Sequence, residues 1–300
     1  MKTEKKDFVI SLLFIAPAAI LITVFIAIPI IYNILLSFHN WSGMYGTPWE
    51  FVGFKNYTKI LNNSDFWKAL LNSGYFIIGG FCILMPLSFC LALLITSKLR
   101  FTGIMKTAYF TPVMLGTTAV ALMWVSIFNP NYGAIADILK FLGKEEWIKD
   151  WLATPTVNLW CVILVNEWMY AGYNMLIFAA GLVSIPNTIL EAGTIDGCTG
   201  IQKIRYIILP LCKNSFKIFS VLCITGCLKV FDIVWAMTAG GPNNVSTTPG
   251  VLLYTEAFKF RNYGRSSVIG VLLVLLGAVL SLLLNRIFRQ DNMYEEGGRK

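Results

Sequence analysis

The sequence predicts an all-α integral membrane protein of six transmembrane helices, with both termini in the cytoplasm and a cytoplasmic loop between spans four and five. Three observations lead there. Hydrophobic residues make up 56% of the chain and charged residues only 13%, against roughly a quarter charged in a soluble domain. Apolar runs of about 20 residues recur along the chain, each able to cross the hydrocarbon as a helix whose backbone groups satisfy one another. Basic residues are also spread unevenly over the connections between runs.

The runs cover Phe8 to Phe38, Ser73 to Thr96, Lys106 to Phe128, Thr156 to Ser184, Ser215 to Thr238 and Ser267 to Phe288. The first begins like a secretory signal, with Lys2, Lys5 and Lys6 ahead of it and small residues at Ala16, Ala18 and Ala19. It continues past Pro29 to Phe38, far beyond a secretory core of about 7 to 15 residues, and reads as an uncleaved first span. Pro29, Pro86 and Pro112 fall inside runs and are expected to bend them.

An even number of spans puts both termini on one face. That face holds Lys2, Lys5, Lys6, Lys98, Arg100, Lys106, Lys203, Arg205, Lys213, Arg286, Arg289, Arg299 and Lys300, thirteen cations against nine on the other. The richer face is assigned to the cytoplasm. The net charge of +8 is thereby explained by topology; it gathers on no single basic face, so nucleic acid is not an expected partner. The seven cysteines show no CxxC pairing and His39 is the sole histidine, which gives no support to a disulfide framework or a metal site. With no internal repeat visible, residues 1–300 read as a single transmembrane domain.

One polar segment, "EAGTIDGCTGIQKIRYIILP" (Glu191 to Pro210), interrupts this apolar chain. Pro186 suits a first helical turn, Asn187 to Asp196 can continue it, and Gly197 supplies a stop. Thr199 and Gln202 have capping-box spacing. Ile201, Ile204, Ile208 and Leu211 then repeat on one face until Pro210 is expected to interrupt the backbone. Two short helices joined by a glycine corner result. Such a segment can lie flat in headgroups or dock on a protein; Glu191 and Asp196 put acids on the first helix and favour docking.

The pattern Glu191-Ala192, Asp196-Gly197, then Ile207, Leu209 and Pro210 resembles the cytoplasmic loop of permease subunits of binding-protein-dependent ABC importers. Gly193 stands where that family usually has alanine. "FVGFKNYTKIL" (Phe51 to Leu61), "LKVFDIVWAMTAGGP" (Leu228 to Pro242) and "YTEAFKFRNYGRSS" (Tyr254 to Ser267), with Ala16-Pro17 and Ile28-Pro29, are similar to the maltose and glycerol-phosphate branch. The resemblance implies that residues 185–212 form a coupling loop inserted into an ATPase subunit, with Glu191, Ala192, Gly193, Asp196, Gly197, Leu209 and Pro210 as its contacts. It further implies a second related permease, a cytoplasmic ATPase dimer, an extracytoplasmic solute-binding protein, a sugar substrate and a place in the bacterial plasma membrane. The sequence contains no G-x-x-x-x-G-K-[ST], so ATP and Mg are expected on the partner ATPase and no cofactor on this chain. The resemblance implies a heterodimer with a different, related permease, a homodimer being the alternative.

Glu167 falls near the middle of the fourth run, where an ionisable group is costly and therefore a site candidate. Asn166, Tyr170, Tyr173 and Asn174 share its side of the helix at i, i+4, i+7 and i+8. Amides and phenols suit a polyol, though polar side chains also join transmembrane helices to one another. In the fifth run Cys223, Cys227 and Val230 share a face that can meet the same path. Lys229 and Asp232, at i and i+3, are expected to form a helical ion pair. Trp124, Trp160, Trp168 and Trp235 suit either sugar stacking or interfacial anchoring. A secondary transporter, a permease of this family for glycerol-3-phosphate and a membrane-embedded enzyme are the alternatives. The first should show repeats and ionisable coupling sites, and the last clustered His, Asp or Glu.

Overall fold

The computed structural model describes residues 13–97 and 101–287. Lys2, Lys5, Lys6, Phe8, Lys98, Arg100, Phe288, Arg289, Arg299 and Lys300, which entered the span and charge expectations, lie outside these residues. In chain order the helices are α1 (Leu13–Ser37), α2 (Lys55–Leu61), α3 (Ser64–Thr96), α4 (Thr102–Met114), α5 (Thr117–Ile127), α6 (Ala134–Phe141), α7 (Asn158–Val183), α8 (Asn187–Ile195), α9 (Gly200–Leu211), α10 (Lys213–Leu228), α11 (Asp232–Thr238), α12 (Pro249–Tyr254) and α13 (Tyr263–Ile287). A two-residue antiparallel pair, β1 (His39–Asn40) with β2 (Glu50–Phe51), places His39 opposite Phe51.

Helices α1, α3 and α13 are each long and apolar enough to cross a membrane. Three bent pairs raise the number to six if each is one span: α4 with α5 at 96°, α7 with α8 at 72° and α9 with α10 at 68°. The third apolar run is therefore not one straight helix. Pro112 removes an N–H from the last turns of α4, Leu115 and Gly116 turn extended, and α5 starts afresh at Thr117. The fifth run is likewise divided, with α10 ending at Leu228 and α11 beginning at Asp232.

Three other prolines are absorbed. Pro29, Pro86 and Pro210 each stand two residues after a π-turn, Thr23–Ala27, Gly80–Leu84 and Ile204–Ile208. In each turn the residue before the proline donates its N–H five positions back: Ile28 to Thr23, Met85 to Gly80 and Leu209 to Ile204. Proline has no N–H of its own, and its ring would strike the carbonyl four residues earlier; the wider turn opens room for it. Pro29 and Pro86 thus leave α1 and α3 continuous. The expected interruption at Pro210 is corrected too: the chain stays helical through Leu211 and bends at Cys212.

The chain gathers into two units. One holds described residues 13–64 and 253–274. In it α1 meets α13 through small and polar groups, the usual means of joining helices where lipid offers no hydrophobic drive. Asn33 Nδ2 donates to the Ser267 carbonyl at 3.4 Å, beside Gly270. Asn56 Nδ2 ties α2 to the end of α1, donating to the carbonyls of Ser37 (3.1 Å) and His39 (2.9 Å). A Cβ on Gly264 would fall 2.0 Å from the His39 carbonyl oxygen, so only glycine permits that approach.

The other unit holds described residues 65–97, 101–252 and 275–287, with α7 at its centre. This helix is buried on most sides, by the second half of α3, by α4 and by α10. Phe178 is the hub of an aromatic cluster, its ring centroid 5.6 Å from Phe89, 4.9 Å from Phe216 and 5.5 Å from Phe219. Ser88 Oγ donates to the Ala171 carbonyl at 3.1 Å, a bond that fixes α3 against α7 in an apolar setting.

Candidate functional site

Helix α7 presents Asn166, Tyr170, Tyr173 and Asn174 along one side, and all four line a single cavity of about 290 Å³ together with Glu167. Cys223 and Cys227 of α10 line it as well, so the seven residues singled out in the sequence for the solute path are brought together. The volume lies near the lower end of the roughly 300–1,000 Å³ usual for small-molecule sites.

Inside the cavity Asn166 Nδ2 donates to Glu167 Oε1 at 3.4 Å. Glu167 is only 1% exposed, and its second oxygen, Oε2, has no hydrogen-bond partner. Asn174 Nδ2 turns back to the Tyr170 carbonyl at 3.0 Å. On α3, Gly79 makes room for Ile163 of α7: a Cβ there would fall 2.6 Å from Ile163 Cγ2, while Glu167 Oε1, at 3.5 Å, would be in ordinary contact. The adjacent Gly80 makes room for the Cys223 thiol, whose Sγ a Cβ there would approach to 2.3 Å.

Other lining residues escaped sequence reasoning. Leu84 comes from the π-turn of α3, Thr117 from the start of α5, Phe231 from the break between α10 and α11, and Ile233 from the first turn of α11. The break also corrects the expected ion pair. Lys229 caps α10 while Asp232 opens α11, no single helix carries both, and within the described residues they form no ion pair. Instead both line the cavity from exposed positions. The signal was present as "LKVFD", charges set into an apolar run; irregular backbone at membrane depth is tolerated where it borders a cavity. Trp124, Trp160, Trp168 and Trp235 do not line it. Trp124 packs edge-on to Trp168, Trp160 against Tyr75, and Trp235 stacks on Phe231.

At its far end α7 passes through Ser184, Ile185 and Pro186 into α8, which carries the second group of candidate residues. The glycine corner forms as expected. Gly197 takes φ +76°, and the Cys198 and Gly197 N–H groups return to the carbonyls of Gly193 (2.9 Å) and Thr194 (3.1 Å), closing the last turn of α8. Thr199 and Gln202 then make both bonds of a capping box, Thr199 N–H to Gln202 Oε1 at 2.7 Å and Gln202 N–H to Thr199 Oγ1 at 3.4 Å.

Helices α8 and α9 clasp each other. Lys203 Nζ donates to Thr194 Oγ1 at 2.6 Å, and a Cβ on Gly193 would lie 2.5 Å from Ile207 Cδ1. The glycine at 193 is thus explained by close packing. Glu191, Ala192, Asp196, Gly197, Leu209 and Pro210 are all exposed, as are Ile195 and Ile201, whereas Gly193 is buried. The result is a preformed knuckle with a mixed acidic and apolar surface.

Residues 85–292 match the family described as binding-protein-dependent transport system inner membrane component. The chain belongs to that family. This permease is 32% identical, over 272 residues, to a probable ABC transporter permease protein of Pyrococcus horikoshii, with 90% of this chain and 92% of the relative covered. It is 29% identical to the probable starch degradation products transport system permease protein of Thermoanaerobacterium thermosulfurigenes, covering 90% and 91%. It is 28% identical to the trehalose/maltose transport system permease protein of Thermococcus litoralis, covering 97% and 98%. Its fold is also that of a chain from a bacterial ABC transporter that imports the acidic polysaccharide alginate. The TM-score is 0.84 at 21% identity, and 97% and 98% of the two chains are covered. The permease is accordingly a multi-pass protein of the plasma membrane and a transport component.

Proposed function

We propose that this permease forms half of the translocation path of an ATP-driven sugar importer and takes up mechanical work through residues 185–212. The observation that carries this reading is the continuity of α7. One unbroken helix bears Asn166, Glu167, Tyr170, Tyr173 and Asn174 in the cavity and hands directly to the knuckle that begins at Asn187. Force applied to the knuckle therefore reaches the cavity wall along a stiff element, the requirement for rigid-body rocking of two permease halves.

In this reading both termini and the knuckle are cytoplasmic. ATP and Mg are held by a separate ATPase dimer whose cleft receives Glu191, Ala192, Gly193, Asp196, Gly197, Leu209 and Pro210. A second, related permease completes the path, and a solute-binding protein delivers the sugar from outside. The sugar is supported by relatives that carry starch degradation products and trehalose or maltose. It is supported also by a cavity in which phenol faces and amides stand together, flat apolar surface beside paired donors and acceptors. Asn166, Glu167, Tyr170, Tyr173, Asn174, Cys223 and Cys227 are the proposed solute contacts.

The test is uptake by the assembled transporter in proteoliposomes, with its binding protein offered maltose, trehalose, lactose and maltotriose in turn. At least one neutral sugar should accumulate in an ATP-dependent manner. Accumulation of none, or accumulation without ATP, would overturn the assignment.

A further inference from the structure

The polar segment between α7 and α10 divides its charge. Helix α8 with its cap carries Glu191 and Asp196 and no cation, whereas the stretch from Gly197 to Phe231 holds Lys203, Arg205, Lys213, Lys217 and Lys229 and no acid. Lys203 belongs to the clasp on Thr194, and Lys229 borders the cavity. Arg205, Lys213 and Lys217 belong to neither. Arg205 stands exposed on α9, and the two lysines fall in the first two turns of α10, Lys213 exposed and Lys217 half-buried.

Geometry fixes the level at which these cations stand. Helix α9 meets α10 at 68°, so with α10 crossing the bilayer at a usual tilt of about 20°, α9 lies nearer the membrane plane than its normal, where the crossing begins. The inner side of α9 is covered: Ile204 and Ile208 pack on the hydrophobic core, and Ile207 reaches Gly193. Its outer side shows Arg205 and Tyr206, the latter 65% exposed, with the guanidinium 5.8 Å from the ring centroid. A cation beside an aromatic ring with a polar tip suits the boundary between headgroups and acyl chains.

We propose that α9 and the start of α10 form a docking surface for anionic phospholipid headgroups, with Arg205, Lys213 and Lys217 facing the phosphates and Tyr206 set into the boundary beneath them. Charge complementarity selects this occupant. An anionic leaflet attracts a basic segment and repels acids, so the field that draws α9 down turns Glu191 and Asp196 of α8 toward water. Through the clasp of Lys203 on Thr194 and of Ile207 on Gly193, a pinned α9 holds α8 raised from the membrane. That the leaflet is the cytoplasmic one rests on the importer reading; the lipid chemistry does not.

The experiment is photo-crosslinking of the assembled transporter in nanodiscs, with a diazirine near the headgroup of phosphatidylglycerol or, in parallel, of phosphatidylcholine. Adducts within residues 200–217 are then counted by mass spectrometry. In the wild type phosphatidylglycerol should give at least about fivefold more adducts there than phosphatidylcholine. With Arg205, Lys213 and Lys217 all replaced by Gln the ratio should fall to about one, whereas Arg205→Lys with Lys213→Arg and Lys217→Arg should keep it, which separates charge from packing. Equal yields from the two lipids in the wild type, or a ratio that survives the Gln replacements, would overturn the proposal. So would adducts from neither lipid in this segment, the result expected if protein covers it instead. The readout needs neither sugar nor ATP, so its failure leaves the importer reading standing, and failure of wild-type sugar uptake would leave this lipid site standing.

Discussion

Gly172 of α7 and Tyr109 of α4 bring two helix backbones together so closely that a Cβ on Gly172 would lie 1.8 Å from the Tyr109 carbonyl oxygen. The obstacle is backbone and cannot rotate away. Gly172→Ala should cost about 1–3 kcal/mol through forced separation of the helices, read as a lower unfolding temperature of the solubilised complex. An unchanged unfolding temperature would show that α4 and α7 are not held in this contact.

Asn72 supports the segment that follows α11. Its Nδ2 donates to the carbonyls of Val245 (2.7 Å) and Thr247 (2.8 Å). Asn72→Leu leaves two acceptors without their donor, at about 1–3 kcal/mol for each one buried. Faster hydrogen exchange confined to residues 240–248 is the expected result; uniform exchange across the chain would argue against a local clamp.

Gly193→Ala should be tolerated to within about 1 kcal/mol, because only the flexible end of Ile207 must move and the helix propensity of α8 improves by a similar amount. Gly193→Leu should instead pry α8 from α9 and abolish transport. Full uptake activity in Gly193→Leu would show that the clasp has no part in coupling.

Glu256 gives a pH dependence outside the spans. Burial pushes its carboxyl above the usual carboxylate range, while Arg265, 4.0 Å away, and Asn262 pull it down less strongly. The folded segment therefore favours the protonated acid. Its contribution is fully present below the ordinary value near 4.5 and is lost as pH rises through the elevated one. Hydrogen exchange at residues 254–262, corrected for intrinsic rates, should speed up across that rise in the wild type and stay level in Glu256→Gln. The same slope in both would remove Glu256 as the cause.

Much of this architecture was legible in the sequence because it depends on local rules. The knuckle follows from Gly197, Thr199 and Gln202, each with a backbone reason for its place, and both capping bonds form. The cavity wall follows from helical spacing, since Asn166, Tyr170, Tyr173 and Asn174 need only one straight helix to share a side. The bend of the third run was announced by Pro112, and it falls just beyond, at Leu115–Gly116. The break in the fifth run was not legible: an apolar run reports composition over a window and is blind to where the hydrogen-bond ladder stops, so the gap from Lys229 to Phe231 was read through. Pro210 misled for a related reason: a wider turn upstream can absorb a proline, and no residue pattern announced that Ile204–Ile208 would provide one.

The most direct measurement is ATP hydrolysis by the assembled transporter carrying Glu191→Lys, with sugar-loaded binding protein present and absent. Glu191 is exposed on α8 and remote from the cavity lining, so reversal of its charge should leave maltotriose binding within about twofold. Stimulation of hydrolysis by the loaded binding protein should disappear along with uptake. Stimulated turnover and uptake at wild-type rates would show that the knuckle is not where this permease receives work.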